Sequence, residues 1–129
     1  MRHGRDRSDL ISWTSAGARA AQDHFGRDTL VIDVADLLSV CDFFVITSGA
    51  NQRQVKAICE AVVQGVSAAG GPKPLSTEGL PARSWVLLDY GDFVVHVFSE
   101  EGREYYQLER LWGDCPRLSW EFEPVAEAG

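Results

Sequence analysis

Apolar residues recur along the chain at two different periods, which separates predicted helices from predicted strands. Over residues 8–25, apolar positions recur at helix-like spacings with charged and amide residues between them, which predicts a first helix. A second helix has the clearest pattern, because one of its faces is continuously apolar. That face consists of Val55, Ile58, Cys59, Val62, Val63 and Val66. Asn51 can cap the start of this helix, and Gly70-Gly71 can end it.

Two β-branched runs without helical polarity, at residues 29–34 and 42–47, predict strands that are buried on both faces. Only residues 35–41 separate them, which is short for the crossover that a parallel pair needs. We therefore expect these strands to pair antiparallel within a mixed sheet. A further short strand is predicted over residues 72–76, and its two prolines restrict it to an edge of the sheet.

A β-hairpin is predicted from residues 85–89 and 92–98, because Tyr90-Gly91 between them can form a tight turn. Strand alternation divides the side chains of the hairpin between two faces. One face is entirely apolar, as expected of core: Val86, Leu88, Phe93, Val95 and Val97. The other face mixes apolar, charged and imidazole groups: Trp85, Leu87, Asp89, Asp92, Val94, His96 and Phe98.

The mixed face of the hairpin has the composition of a partly exposed recognition surface, with Trp85 as its anchor. The alternative is that the last helix covers this face, in which case Trp85 is an ordinary core residue. The sequence pattern leaves both interpretations open.

A third helix is predicted over residues 100–112, where apolar side chains recur at helical spacing before Pro116. The predicted order of elements is then α-β-β-α-β-β-β-α. Residues 8–115 should therefore form a single α/β domain, in which a mixed sheet of about five strands is flanked by helices.

Both ends of the chain are expected to lie outside this domain. Residues 1–7 are predicted to form a flexible tail. Residues 116–129 are predicted to form an acidic tail, with Trp120 or Phe122 as candidate local anchors.

The chain contains 19 acidic and 12 basic residues, for a net charge of −7. This balance argues against a surface that gains its affinity by neutralising phosphates, so we expect little direct binding to nucleic acid. Cys41, Cys59 and Cys115 lack metal-ligand spacing, and no signal peptide or membrane-length apolar run is recognisable. We therefore expect reduced thiols in a cytoplasmic protein that does not enter a membrane.

Carboxylates and histidines are the residues to consider for catalysis or metal binding. Clustered carboxylates can hold Mg²⁺ or share a proton, and the candidates are Asp33, Asp36, Asp42, Asp89 and Asp92. Asp89 and Asp92 flank a turn, where acidic residues are common turn formers. His96 lies within a strand, and no Ser or Cys nucleophile motif accompanies it. The sequence therefore predicts no catalytic residue, no bound metal and no cofactor.

Three stretches of the chain carry a recognisable combination of motifs. The first is Cys-Asp-Phe-Phe-Val-Ile-Thr-Ser-Gly at residues 41–49, preceded by Asp33-Val34 and followed by Arg53-Gln54-Val55. The second joins Glu78-Gly79 to the whole hairpin at residues 85–98. The third is Arg103 with Tyr-Gln-Leu-Glu-Arg-Leu-Trp at residues 106–112. Together these stretches resemble the ribosomal silencing factor family, also called the Iojap-related proteins.

The resemblance implies a nucleotidyltransferase-like topology without enzymatic activity. It implies that the protein binds the large ribosomal subunit through ribosomal protein L-fourteen at the intersubunit face, and so keeps the two subunits apart. The docking surface that the resemblance implies contains Trp85, Leu87, Asp89, Tyr90 and Phe98. The expected function is therefore that of a translational repressor, with a homodimer as one assembly to test.

Two other functions compete with this one. A nucleotidyltransferase needs a Gly-Ser turn and an Asp-x-Asp or Asp-x-Glu pair on one strand, so that two carboxylates can hold metal ions. Here Ser48 precedes Gly49, and no predicted strand contains such a pair. A purely structural dimerisation module would differ from the docking protein only in its partner.

Overall fold

The computed structural model of the chain describes residues 6–121. Its helices and strands follow the predicted order, except that the last helix is divided into two. In chain order they are α1 (Arg7–Asp23), β1 (Arg27–Asp33), β2 (Phe43–Gly49), α2 (Gln52–Ala68), β3 (Ser76–Glu78), β4 (Trp85–Asp89), β5 (Phe93–Ser99), α3 (Glu100–Tyr106) and α4 (Leu108–Leu111). Most of the predicted tails, including the candidate anchor Phe122, lies outside the described residues.

A sheet with the strand order β1-β2-β5-β4-β3 lies at the centre of the described chain. β2 and β5 are parallel, whereas the other neighbouring strands pair antiparallel, so the predicted mixed sheet is confirmed. α1 and α2 share an apolar core with one face of this sheet. The central strand β2 is buried at all 7 of its positions, as its uninterrupted apolar pattern predicted.

Each of the two long helices is capped at its start by a side chain that accepts one backbone N–H. The carboxylate of Asp6 accepts a hydrogen bond from the Ser8 N–H (3.1 Å), so α1 begins at Arg7, inside the predicted tail. The Asn51 side chain accepts from the Gln54 N–H (2.9 Å), which confirms the predicted cap of α2. Within residues 6–121, no helix has both the length and the apolar character needed to cross a membrane.

The edge strand β3 lies slightly later in the chain than predicted. It spans Ser76–Glu78 rather than residues 72–76, because Pro72 and Pro74 have no N–H group to donate to the neighbouring strand. Its position at an edge of the sheet is as predicted. Every residue of β3 is exposed.

The prediction of one continuous helix over residues 100–112 was wrong. Gln107 adopts a left-handed backbone conformation (φ 47°) and ends α3, with its N–H bonded to the Arg103 carbonyl (2.9 Å). The short helix α4 follows at once. Because the helix is interrupted at Gln107, Leu108 and Trp112 can pack against a second apolar cluster, on the face of the sheet opposite α1 and α2.

The beginning of the predicted acidic tail is part of the fold. The Asp33 N–H donates to the Pro116 carbonyl (2.8 Å) and the Leu118 N–H to the Val31 carbonyl (2.9 Å), so this segment runs along the outer edge of β1. Trp120 is only 8% exposed, and its indole N–H donates to the Thr29 carbonyl (3.2 Å). Trp120 therefore anchors the segment and covers a sheet edge that would otherwise be open.

Candidate functional site

The face of the sheet opposite α1 and α2 is only partly covered. A second apolar cluster on this face includes Phe44 and Phe98, and residues of α4 pack against it. The side chains of β4 and β5 that remain partly exposed here form what we call the open face: Trp85, Leu87, Asp89 and Val94. The pairing of β4 with β5 places these residues on one side, as strand alternation predicted.

Trp85 is half-buried and is held on several sides. Its indole lies 5.0 Å from the Phe98 ring and 4.7 Å from the Tyr106 ring, measured between centroids. The indole N–H donates a hydrogen bond to Nδ1 of His96 (3.1 Å). Because Tyr106 belongs to α3, the first part of the predicted last helix does cover part of Trp85, while another part stays accessible. The exposure of Trp85 thus lies between those of a fully covered core residue and a fully exposed one.

Leu87 and Asp89 continue the open face toward the edge of the sheet. One carboxylate oxygen of Asp89 accepts from the Gly91 N–H (2.8 Å), which is the turn-forming role that the sequence suggested. In β3, Glu78 pairs with Leu87 and Ser76 pairs with Asp89. Directly paired residues point to the same side of a sheet, so Glu78 and Ser76 extend the open face with polar groups. The sequence did not single out either residue for this surface: Glu78 lies beyond the strand predicted over residues 72–76, and Ser76 is the last residue of that strand.

Tyr90 and Phe98 lie in the interior rather than on the open face. Phe98 is 0% exposed. Tyr90 is 3% exposed and stacks on Phe93 (4.5 Å between ring centroids) within the core shared with α1 and α2. Burial raises the pKa of Tyr90 to about 12, so its phenol stays protonated. Phe98 therefore lies beneath the open face, whereas Tyr90 lies on the opposite face of the sheet.

His96 is a buried, neutral imidazole beneath the open face. It is 4% exposed, and burial lowers its pKa from the ordinary 6.5 to about 4. Since Nδ1 accepts the proton of the Trp85 indole, the imidazole proton is on Nε2. His96 lies next to Phe44, with 4.7 Å between the ring centroids. Its surroundings are those of a structural histidine, not of an accessible general base.

Acidification should destabilise the protein through His96. The unfolded chain binds a proton at this residue below its ordinary pKa of 6.5, whereas the folded chain does so only near a pKa of about 4. Neutral His96 therefore makes its full contribution to the free energy of unfolding above pH 6.5. That contribution, about 3 kcal/mol in total, is lost as the pH falls from 6.5 toward 4. Urea unfolding of the wild type and of His96→Leu over this range measures it, and parallel pH profiles would contradict it.

The candidate carboxylates do not converge on a metal site. Asp33 and Asp42 both pair with the guanidinium of Arg7, at 2.6 and 3.4 Å between nitrogen and oxygen. Asp89 caps the hairpin turn, as described above. In the part of the chain that the structure describes, no group of three or more His, Cys, Asp or Glu side chains could hold a metal ion.

Arg103 attaches α3 to the start of strand β1. Its side chain is 11% exposed, and its guanidinium donates to the carbonyls of Arg27 (2.9 Å) and Asp28 (2.7 Å). It also donates to Ser48 Oγ (3.3 Å) and to the Glu109 carboxylate (3.2 Å). A planar group with several donors can make all of these bonds at once. Arg103 therefore fixes the position of α3, and with it the position of Tyr106 over Trp85.

Comparisons with known proteins identify the family. A family model described as ribosomal silencing factor during starvation matches residues 8–128. The chain belongs to the ribosomal silencing factor family. It is 38% identical over 105 residues to the ribosomal silencing factor of Bacillus subtilis, covering 81% of this chain and 88% of the relative.

More distant family relatives include proteins of organelles. The chain is 30% identical over 118 residues to the chloroplastic protein Iojap of maize, covering 92% of this chain and 51% of the relative. It is 35% identical over 89 residues to a mouse protein named mitochondrial assembly of ribosomal large subunit protein 1, covering 67% of this chain and 39% of the relative.

Solved structures agree with this family assignment. A crystal structure of a Chromobacterium violaceum protein superposes with a TM-score of 0.73 at 32% identity, covering 91% of each chain. A Bacillus halodurans structure superposes with a TM-score of 0.69 at 31% identity, covering 88% of this chain and 99% of that chain. The predicted α/β architecture with a mixed five-stranded sheet is therefore confirmed.

Proposed function

We propose that this protein is a translational repressor that docks on the large ribosomal subunit and blocks its association with the small subunit. Membership of the ribosomal silencing factor family is the observation that carries this proposal. The name of the mouse relative points to the large subunit as the partner. Within that subunit, the partner proposed is ribosomal protein L-fourteen at the intersubunit face, and the site of action is the cytoplasm.

The open face is the proposed docking surface. Trp85 and Leu87 supply apolar contact area, and Asp89 supplies a carboxylate beside them. A partly exposed tryptophan among polar groups is a common centre of protein–protein interfaces. Phe98 belongs to this surface as a support, because it is buried and packs against Trp85, whereas Tyr90 is buried on the opposite face of the sheet and would act only through the hairpin turn.

The proposed mode of action is docking without catalysis and without a cofactor. The nucleotidyltransferase alternative needs paired carboxylates that are available to metal ions, whereas Asp33 and Asp42 both form ion pairs with Arg7 here. Asp89 is engaged at a turn. A net charge of −7 further favours contact with a protein over contact with ribosomal RNA.

Co-sedimentation with isolated ribosomal subunits tests the proposal. The protein is expected to pellet with large subunits and not with small subunits, and to bind purified L-fourteen. Recovery with both subunits alike, or with neither, would contradict the proposed function. Rising salt should weaken binding only slightly, because few phosphates are neutralised in the complex. Mass measurement of the free protein would show whether it is a homodimer.

A further inference from the structure

The orientation of Trp85 depends on one directional contact. Its ring contacts with Phe98 and Tyr106 are apolar and less directional than a hydrogen bond. The hydrogen bond from the indole N–H to Nδ1 of His96 (3.1 Å) fixes both the side-chain rotamer and the edge that faces inward. The opposite edge of the indole is then the one presented on the open face.

His96 is suited to this role and to no direct contact with a partner. At 4% exposure it cannot reach a molecule that docks on the open face. In the folded protein it is neutral, so Nδ1 remains an acceptor over the physiological pH range. The rings of Phe44 and Phe98 lie beside the imidazole, at 4.7 and 6.5 Å between centroids, and they limit its own rotation.

We propose that His96 is a positioning residue that preorganises Trp85 for docking. The proposal rests on the function proposed above, because it assigns His96 a part in binding only through Trp85. Without the acceptor, the indole would sample several orientations in the free protein and would have to be ordered on binding. Ordering one side chain of this kind weakens affinity by about 3- to 10-fold.

Two substitutions of His96 separate positioning from packing. Asparagine places an acceptor oxygen close to the position of Nδ1, whereas leucine fills the space without an acceptor. His96→Leu is therefore expected to bind large subunits about 3- to 10-fold more weakly than the wild type. His96→Asn is expected to keep most of the affinity, even if its thermal stability is lower.

Indole N–H resonances show whether the Trp85 N–H depends on His96 as its acceptor. The Trp85 resonance is identified by its disappearance in Trp85→Phe. In His96→Leu it should shift and exchange faster with solvent, while the resonances of Trp13 and Trp120 stay in place. In His96→Asn it should remain protected.

A double substitution tests whether His96 acts through Trp85. Phenylalanine at position 85 has no N–H to donate, so adding His96→Leu to Trp85→Phe should cause no further loss of affinity. An additional loss in that background, equal binding by His96→Leu and wild type, or an unchanged Trp85 resonance would each overturn the proposal. Failure of the wild type itself to pellet with large subunits would instead contradict the proposed function.

Discussion

Replacing Trp85 with alanine is expected to weaken binding to the large ribosomal subunit roughly 30- to 1,000-fold, equivalent to about 2–4 kcal/mol. The substitution removes the largest apolar group of the open face. It also removes a ring that packs on Phe98 and Tyr106, so the free energy of unfolding should fall by about 1–3 kcal/mol. A binding titration with large subunits, at a temperature where the variant is folded, measures the effect.

Trp112 provides a matched control for this experiment. It is also half-buried on the same face of the sheet, with its ring 5.5 Å from that of Phe44, but it lies outside the open face. Trp112→Ala should therefore lower stability by a similar amount and leave affinity within about twofold of the wild type. Equal losses of affinity in the two variants would show that binding follows general stability and not the open face.

Replacing Trp120 with alanine is expected to lower the free energy of unfolding by about 3–5 kcal/mol. The indole is 8% exposed, belongs to the core shared with α1 and α2, and donates to the Thr29 carbonyl (3.2 Å). Its loss leaves a cavity and also frees the segment that covers the edge of β1. Urea unfolding of the variant beside the wild type measures the change.

Glu121→Ala is the control for Trp120, because Glu121 is exposed and adjacent in sequence. This variant should unfold within about 0.5 kcal/mol of the wild type. A loss below about 1 kcal/mol in Trp120→Ala would mean that the segment behaves as the loose acidic tail that composition alone suggested.

Features that depend on local periodicity could be predicted from the sequence. The apolar face of α2, its Asn51 cap and the buried run in β2 each follow from a repeat within one element. The two faces of the hairpin were also predictable, because strand alternation does not depend on the details of the turn. These features are enough to place Trp85, Leu87 and Asp89 on one surface from the sequence alone.

The position of Tyr90 was not predicted, because the sequence pattern assigned this residue to the hairpin turn. The Tyr90 N–H donates to the Phe93 carbonyl (3.0 Å), so the hairpin turns at Gly91-Asp92 and Tyr90 keeps the side-chain alternation of β4 just beyond its end. Its alternation with Leu88 would have placed it on the core face. Because the turn was predicted at Tyr90-Gly91, one residue too early, the alternation of the strand was not extended to Tyr90.

Contacts between distant parts of the chain could not be predicted in this way. The coverage of Trp85 by Tyr106 depends on where Gln107 ends α3 and on the bonds of Arg103 to the carbonyls of Arg27 and Asp28. None of these contacts leaves a periodic signal. Contacts between distant parts of the chain therefore determine which part of the mixed face of the hairpin stays exposed.

The most direct test of the central claim is the joining of isolated ribosomal subunits. Large subunits are incubated with an excess of the protein, small subunits are added, and the joined fraction is measured on a sucrose gradient. We expect the wild type to reduce this fraction strongly. Trp85→Ala should reduce it only at higher protein concentrations, by the same factor as its loss of affinity for the large subunit. An unchanged joined fraction, with the wild-type protein still bound to the large subunit, would contradict the account.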